Sequence, residues 1–297
     1  MKYKIEVIAP QQLLCGEGPV WDAVNDQLIW TDSLGESIYC YKNKEHQTHL
    51  YHEGLHAASL TLHKSGGLMI CGNDGFSLLT CEREVRRFNN IAENIKAIQL
   101  NDIIADADGR VFAGQEAFTE DRPYDTGYLF RLNVDNSLHV ADGGFHIANG
   151  MGFSPDDKKF YVADTILRNI YQYDYNVSNG TISNKKIFFH FDKEDGLPDG
   201  LTVDSEGCLW VAMFLGNQII CADAHGVIKD RIELPFAQPT SVTFGGKDLN
   251  ELFITSSALR WKTNLAPSKH NFNSLRGGGL YRVKTDVQGK LEYRAVM

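Results

Sequence analysis

Pro198-Asp199-Gly200-Leu201-Thr202-Val203-Asp204-Ser205-Glu206-Gly207-Cys208-Leu209-Trp210-Val211-Ala212 is the stretch that decides the fold. Side chains alternate across 201–203 and again across 209–212, as two half-buried strands require. The Asp-Ser-Glu-Gly run between them holds residues that tolerate a tight turn. Asp199 puts an acid at the entrance of this hairpin, and the chain repeats the pattern five more times.

The other second-strand signatures are Leu28-Ile29-Trp30-Thr31-Asp32, Leu68-Met69-Ile70-Cys71-Gly72, Val111-Phe112-Ala113-Gly114, Phe160-Tyr161-Val162-Ala163-Asp164 and Leu252-Phe253-Ile254-Thr255. Between the first apolar residues of the six copies the gaps are 40, 43, 49, 49 and 43 residues, a propeller-blade period. A third strand recurs at 37–41, 76–80, 127–132, 170–175, 218–222 and 279–283, and a fourth at 48–52, 85–88, 138–141, 186–191 and 230–234. The sixth unit lacks a clear fourth strand, so the N-terminal 2–8 is expected to close the ring there, removing an open edge. Residues 291–296 then read as an extra or competing strand. The sequence contains no linker rich in Pro, Ser or charge and no long helical period. The expected fold is all-β: a six-bladed β-propeller of four-stranded blades around a central channel, using residues 1–297 as one domain.

Composition fits a globular chain, with 43% hydrophobic and 23% charged residues. The net charge of −9 argues against nucleic acid and anionic membrane as partners, and nothing in the sequence specifies an oligomer. No apolar run is long enough to span a bilayer. The start, Met1-Lys2-Tyr3-Lys4-Ile5-Glu6-Val7-Ile8, alternates like a strand and lacks a signal peptide's apolar core, so the expected compartment is the cytoplasm. Six cysteines without C-x-x-C spacing read as buried thiols rather than disulfides or a zinc site.

The first strand of each propeller blade lines the channel, so equivalent starting positions meet around one mouth. Ten or eleven residues before the anchors stand Glu17, Asn101, Asn149 and Asp199; unit two offers Ala57 and Ala58, and unit six Thr240 or Ser241. Any one of these alone reads as a turn entering a strand. Four at matched positions, with Glu17 no turn former, read as a site. Two carboxylates and two amides without His or Cys suit Ca²⁺, Mg²⁺ or Mn²⁺ by ligand type, with Zn²⁺ or Fe²⁺ less favoured. Water or substrate would fill the remaining positions, as a Lewis-acid centre requires.

Gly16-Glu17-Gly18-Pro19-Val20-Trp21, Asn101-Asp102, Ala148-Asn149-Gly150-Met151 with Ser154-Pro155-Asp156, and Pro198-Asp199-Gly200 with Gly207-Cys208-Leu209-Trp210-Val211-Ala212 together resemble the SMP-30/gluconolactonase/luciferin-regenerating-enzyme family, which includes regucalcin and sugar lactonases. The resemblance runs from about residue 17 to 279. It implies a six-bladed propeller with one divalent metal held by Glu17, Asn149 and Asp199, with Asn101 beside it contacting water or substrate. In the typical lactonase pattern an Arg that binds substrate hydroxyls stands two residues before that Asn. Here the position is Gln99, which can hydrogen-bond but makes no charge-assisted contact. The family's loop acid has two candidates, Glu116 and Glu120, either of which also reads as a solvent-facing charge.

The expected activity is metal-dependent hydrolysis of a sugar lactone to its aldonic acid, with Asp199 as general base. The alternatives are a calcium-dependent phosphoester or organophosphate hydrolase and a non-catalytic Ca²⁺-binding propeller. No G-x-S-x-G elbow is present. The polar excursion 114–125 is expected to form a lid. The loop 260–276 reads either as a substrate contact or as a solvated connection. His46, His49, His52 and His56 read as surface or packing residues on a strand.

Overall fold

The computed structural model describes residues 2–88 and 99–297. Among the described residues, twenty-four strands form six antiparallel four-stranded sheets, and the helical content is one 3-10 turn, Lys193–Asp195. The six-bladed propeller expected from the repeat is the fold observed. Each blade's innermost strand is the first after a blade crossing: Gly16–Asp22, Ser59–Leu62, Leu100–Ala105, Ala148–Phe153, Leu197–Val203 and Pro239–Gly245. Consecutive inner strands touch, and the sixth touches the first, so they ring the channel.

The ring closes as expected. Ile5–Ala9 is the outermost strand of blade six, antiparallel to Leu280–Lys284. The third strands of blades three and five, Gly127–Leu132 and Gln218–Ala222, have the expected limits. The fourth strand of blade four, Thr181–His190, starts five residues earlier than expected, because its partner Asn169–Asn176 runs to the end of the hairpin.

The core lies between blades rather than at the axis. Phe112, Phe153, Phe160 and Tyr173 fill the space between blades three and four, and Trp210, Phe236, Phe244 and Tyr281 that between five and six. Burying each such ring stabilises the fold by about 1.5–3 kcal/mol. Alternating apolar side chains point to the two neighbouring interfaces. On Leu209–Phe214, Leu209, Val211 and Met213 face blade four, while Trp210 and Ala212 face blade six. All six cysteines are free thiols, and among the described residues no helix is long and apolar enough to cross a membrane.

The reading of 291–296 as a strand is corrected. The segment from Thr285 onward crosses the face of the ring opposite the inner-strand entrances and makes single bridges, His63 with Ala295 and Asp204 with Gly289. It touches every blade. Thr285 N donates to Asn250 O, Ser205 N to Gln288 O, Tyr293 Oη to Asp157 Oδ2, Val296 N to Gly109 O, Ala295 N to Leu62 O and Arg294 Nη2 to Asp22 Oδ1. A chain crossing six blades cannot stay in register with any one of them, which is why an alternating sequence forms no ladder here.

Candidate functional site

Five of the six inner strands break register with their neighbours near their entrances. The shifts fall between Glu17 and Val20, Leu100 and Ile103, Asn149 and Met151, Pro198 and Leu201, and Pro239 and Val242. A β-bulge bends the strand and re-aims the side chains at it. The candidate residues Glu17, Asn101, Asn149 and Asp199 all sit at bulges. Blade two, which offered only Ala57 and Ala58, keeps regular pairing from Ser59 to Leu62. At the blade-one bulge Gly18 has φ +51°, and a Cβ there would stand 2.6 Å from Ser59 Oγ, so the turn after Glu17 needs glycine.

Asp199 and Asn149 are buried, and Asn149 Nδ2 donates to Asp199 Oδ1 and to Thr165 Oγ1 (3.2 Å). Asn149 Oδ1 accepts from Gly150 N (3.0 Å), and Glu17 Oε2 accepts from Gly18 N (3.2 Å). A third channel acid, Asp102, accepts from Ser59 Oγ (2.7 Å) and Ile103 N (2.8 Å). Burial, and then repulsion from Asp199 and Asp102, pushes the Glu17 carboxyl well up; burial, and then Asp102, does the same to Asp199 despite the Asn149 bond. Burial raises Asp102 as well. Among the described residues, no Lys, Arg or His figures among the main groups acting on these three acids. Buried carboxylates without a counter-ion are costly, and an oxygen-rich set of this kind suits a hard divalent cation. As a ligand Asn149 has to present Oδ1, the atom that here accepts from Gly150.

Sequence reasoning passed over Asp102. Strict alternation sends it away from Asn101's face, and the bulge at Leu100–Ile103 overrides that alternation. With Ser59, Thr61, Thr202, Thr243 and Glu292 it lines a cavity of about 50 Å³ deeper along the channel.

Gln99 and Glu116 stand together at the mouth. Gln99 Nε2 donates to Glu116 Oε2 (2.7 Å), and Glu116 N donates back to Gln99 O (2.9 Å). Burial raises the Glu116 carboxyl, the Gln99 bond opposes this, and Glu116 in turn raises Asp199. Glu120 is placed differently: its Oε1 accepts the indole N–H of Trp261 (3.0 Å). The 258–278 connection is not simply solvated. It arches from blade six across blade five, where His270 Nδ1 donates to Leu215 O (2.9 Å), and blade four, where Arg168 Nη2 donates to Leu265 O (2.7 Å), to Glu120 of blade three. Ala266, with Leu265 and Trp261, packs on Leu197, Phe214 and Leu215.

Among the described residues, one group of three His, Cys, Asp or Glu side chains brings its ligand atoms within 4.8 Å: Asp204, Cys208 and Cys221. It lies at the other end of blade five, beside the crossing segment. Asp204 Oδ1 already accepts from Glu206 N and Cys208 N, and Oδ2 from Trp210 Nε1, each at 2.9 Å. Those bonds make Asp204 the cap of its hairpin turn. The axial acids are set wider apart and keep oxygens free.

Fold and site define a β-propeller with an oxygen-donor centre at one mouth of its channel. The chain belongs to the SMP-30/gluconolactonase/LRE-like family, whose model matches residues 15–258. It is 32% identical to pentonolactonase XacC of Haloferax volcanii, over 94% of both chains. It is 31% identical to regucalcin of Oryctolagus cuniculus, over 85% of this chain and 86% of that one. The solved structure of a luciferin-regenerating enzyme superposes with a TM-score of 0.90 at 30% identity, covering 99% of this chain and 100% of the other.

Proposed function

We propose that the protein is a divalent-metal-dependent sugar lactonase that opens a small aldonolactone to its aldonic acid. The observation that carries this reading is the uncompensated acid set Glu17, Asp102 and Asp199 at bulged strand entrances, in a chain similar to a pentonolactonase. Glu17, Asn149 and Asp199 would hold the cation; Ca²⁺, Mg²⁺, Mn²⁺, Zn²⁺ and Fe²⁺ are the candidates. Bound there, it would supply Lewis-acid stabilisation of the charge that develops on the lactone carbonyl oxygen.

The chain's own residues do the rest. Asp199 Oδ1 is engaged by Asn149, so Oδ2 is the atom that takes the proton of the attacking water. Water oxygen bonds to the carbonyl carbon, the ring C–O bond breaks, and the ring oxygen takes the proton back from Asp199 Oδ2 to leave as a hydroxyl of the aldonate. Glu116, fixed by Gln99, accepts a sugar hydroxyl, and Asn101 donates to substrate or water. The test is acid release from a panel of five- and six-carbon aldonolactones after chelation and reloading with each cation. Turnover with at least one cation, lost in Asp199→Ala with metal still bound, is expected. No turnover with any cation would overturn the reading in favour of a binding protein.

A further inference from the structure

We propose that Trp261 determines which lactones reach the site, by walling the mouth over blades three to five so that one unsubstituted sugar ring fits and a bulky substituent does not. This rests on the lactonase reading and adds the residue that sets its selectivity.

Four observations converge on this indole. Its N–H is committed to Glu120 of the 114–125 loop, 141 residues away in the chain, so it joins the two loops flanking the mouth. Its ring lies against Phe214, with centroids 6.0 Å apart and planes at 42°. Phe214 pairs with Leu197, two residues before Asp199, so the aromatic pair packs at the entrance of the inner strand that carries the acid proposed as base. Finally, Trp21, Trp30 and Trp210 are 5%, 1% and 3% exposed, whereas Trp261 keeps solvent contact. A large ring held at its N–H and still partly wet is unusual as packing. It is what a platform for the C–H face of a sugar ring needs.

The arch around it is braced for that task. Ala266 is buried against Leu197, Phe214 and Leu215; Arg168 of blade four donates to the arch's Leu265 O, and His270 of the arch donates to Leu215 O of blade five. A loop with its own small core holds a wall in place; an unpacked loop yields to a larger substrate. Glu120 thereby acts as a positioning residue for Trp261 rather than as a substrate ligand.

The experiment compares wild type, W261A, W261F and E120A for acid release from an aldonolactone and from its O-benzyl derivative. W261A is expected to raise KM for the plain lactone about two- to tenfold, the worth of one aromatic contact, with kcat within about twofold. It should also raise the relative kcat/KM for the benzyl derivative about fivefold or more. W261F and E120A keep the stacked ring or its partner but lose the tie, and should relax the discrimination with little change in KM. They also keep the test decisive should W261A not fold. Titration with the aldonate product should quench the Trp fluorescence of wild type and leave that of W261F unchanged. Absence of wild-type turnover marks failure of the lactonase reading itself. Wild-type turnover with KM and discrimination unaltered in the variants overturns the role of Trp261 alone.

Discussion

Gly150→Ala tests whether the close approach of inner strands four and five sets the site geometry. A Cβ at Gly150 would stand 2.3 Å from the backbone oxygen of Asp199 and 2.8 Å from Leu201 N. Ordinary contact begins near 3.4 Å, so the strand bearing Asp199 has to move by about 1 Å. Backbone cannot rotate aside as a side chain can. Overpacking of this kind costs about 1–3 kcal/mol, or about 2–5 °C in Tm for a chain this size. A shift of about 1 Å at a reacting group costs about 10²-fold in rate. The control is Gly152→Ala on the same strand, where the new Cβ meets the side-chain atoms Val203 Cγ2 at 2.7 Å and Leu201 Cδ1 at 3.0 Å, which can turn away. Lactone hydrolysis, metal titration and thermal unfolding on both variants separate the effects. Gly150→Ala should lose about 10²-fold in kcat/KM with weaker metal binding, and Gly152→Ala should lose less than about fivefold. Equal activity loss in the two, or full activity in Gly150→Ala, would refute the reasoning.

Three other perturbations follow from the same geometry. In the metal-free protein, burial first and repulsion from neighbouring acids second (Asp199 and Asp102 on Glu17, Asp102 on Asp199) hold Glu17 and Asp199 well above the usual carboxylate range. Between the ordinary and the raised values the folded state binds more protons than the unfolded chain, so stability declines as pH rises through that window, from about pH 4 upward. Urea titrations with chelator should show the decline and saturating divalent cation should abolish it; a flat profile without metal contradicts the assignment. Glu116→Gln keeps a hydrogen-bonding partner for Gln99 and removes one charge, and should raise KM about tenfold for lactones while leaving Tm unchanged, as steady-state kinetics would show. Arg110→Leu strands the buried Asp106 carboxylate, which accepts from Arg110 Nε and from Tyr175 Oη at 2.7 Å. Equilibrium denaturation should reveal a loss of about 3–5 kcal/mol, with kcat unaltered below the transition.

The blades were readable because each second strand is an uninterrupted apolar run and each hairpin carries its own turn residues. The stretches 127–132 and 218–222 needed nothing beyond alternation. Glu17, Asn149 and Asp199 were readable as a set because the repeat aligns them. The wobble between ten and eleven residues before the anchor comes from the hairpin turn: the pairs Trp21–Leu28 and Phe153–Phe160 are one residue further apart in the chain than Ala105–Val111 and Val203–Leu209. Asp102 was hidden by the bulge at Leu100–Ile103, since strand alternation assigns it to the wrong face. Trp261 was hidden for another reason: its partner Glu120 is 141 residues away, and no local pattern encodes that contact. The segment 291–296 misled because alternation reports which residues suit a strand, not whether a neighbouring strand runs alongside.

The crossing segment changes how the ring comes apart. Repeats that touch only their neighbours unravel unit by unit, each losing its own share of stability. Here the circle is fastened twice, at the rim by the pairing of Ile5–Ala9 with Leu280–Lys284 and across one face by bonds to all six blades. A blade that loosens breaks the fastening shared with the others, so melting is a single cooperative event. The bond from Arg294 to Asp22 spans 272 residues, and such distant pairing is slow to form. The same belt that makes the assembled ring hard to open therefore makes it slow to close.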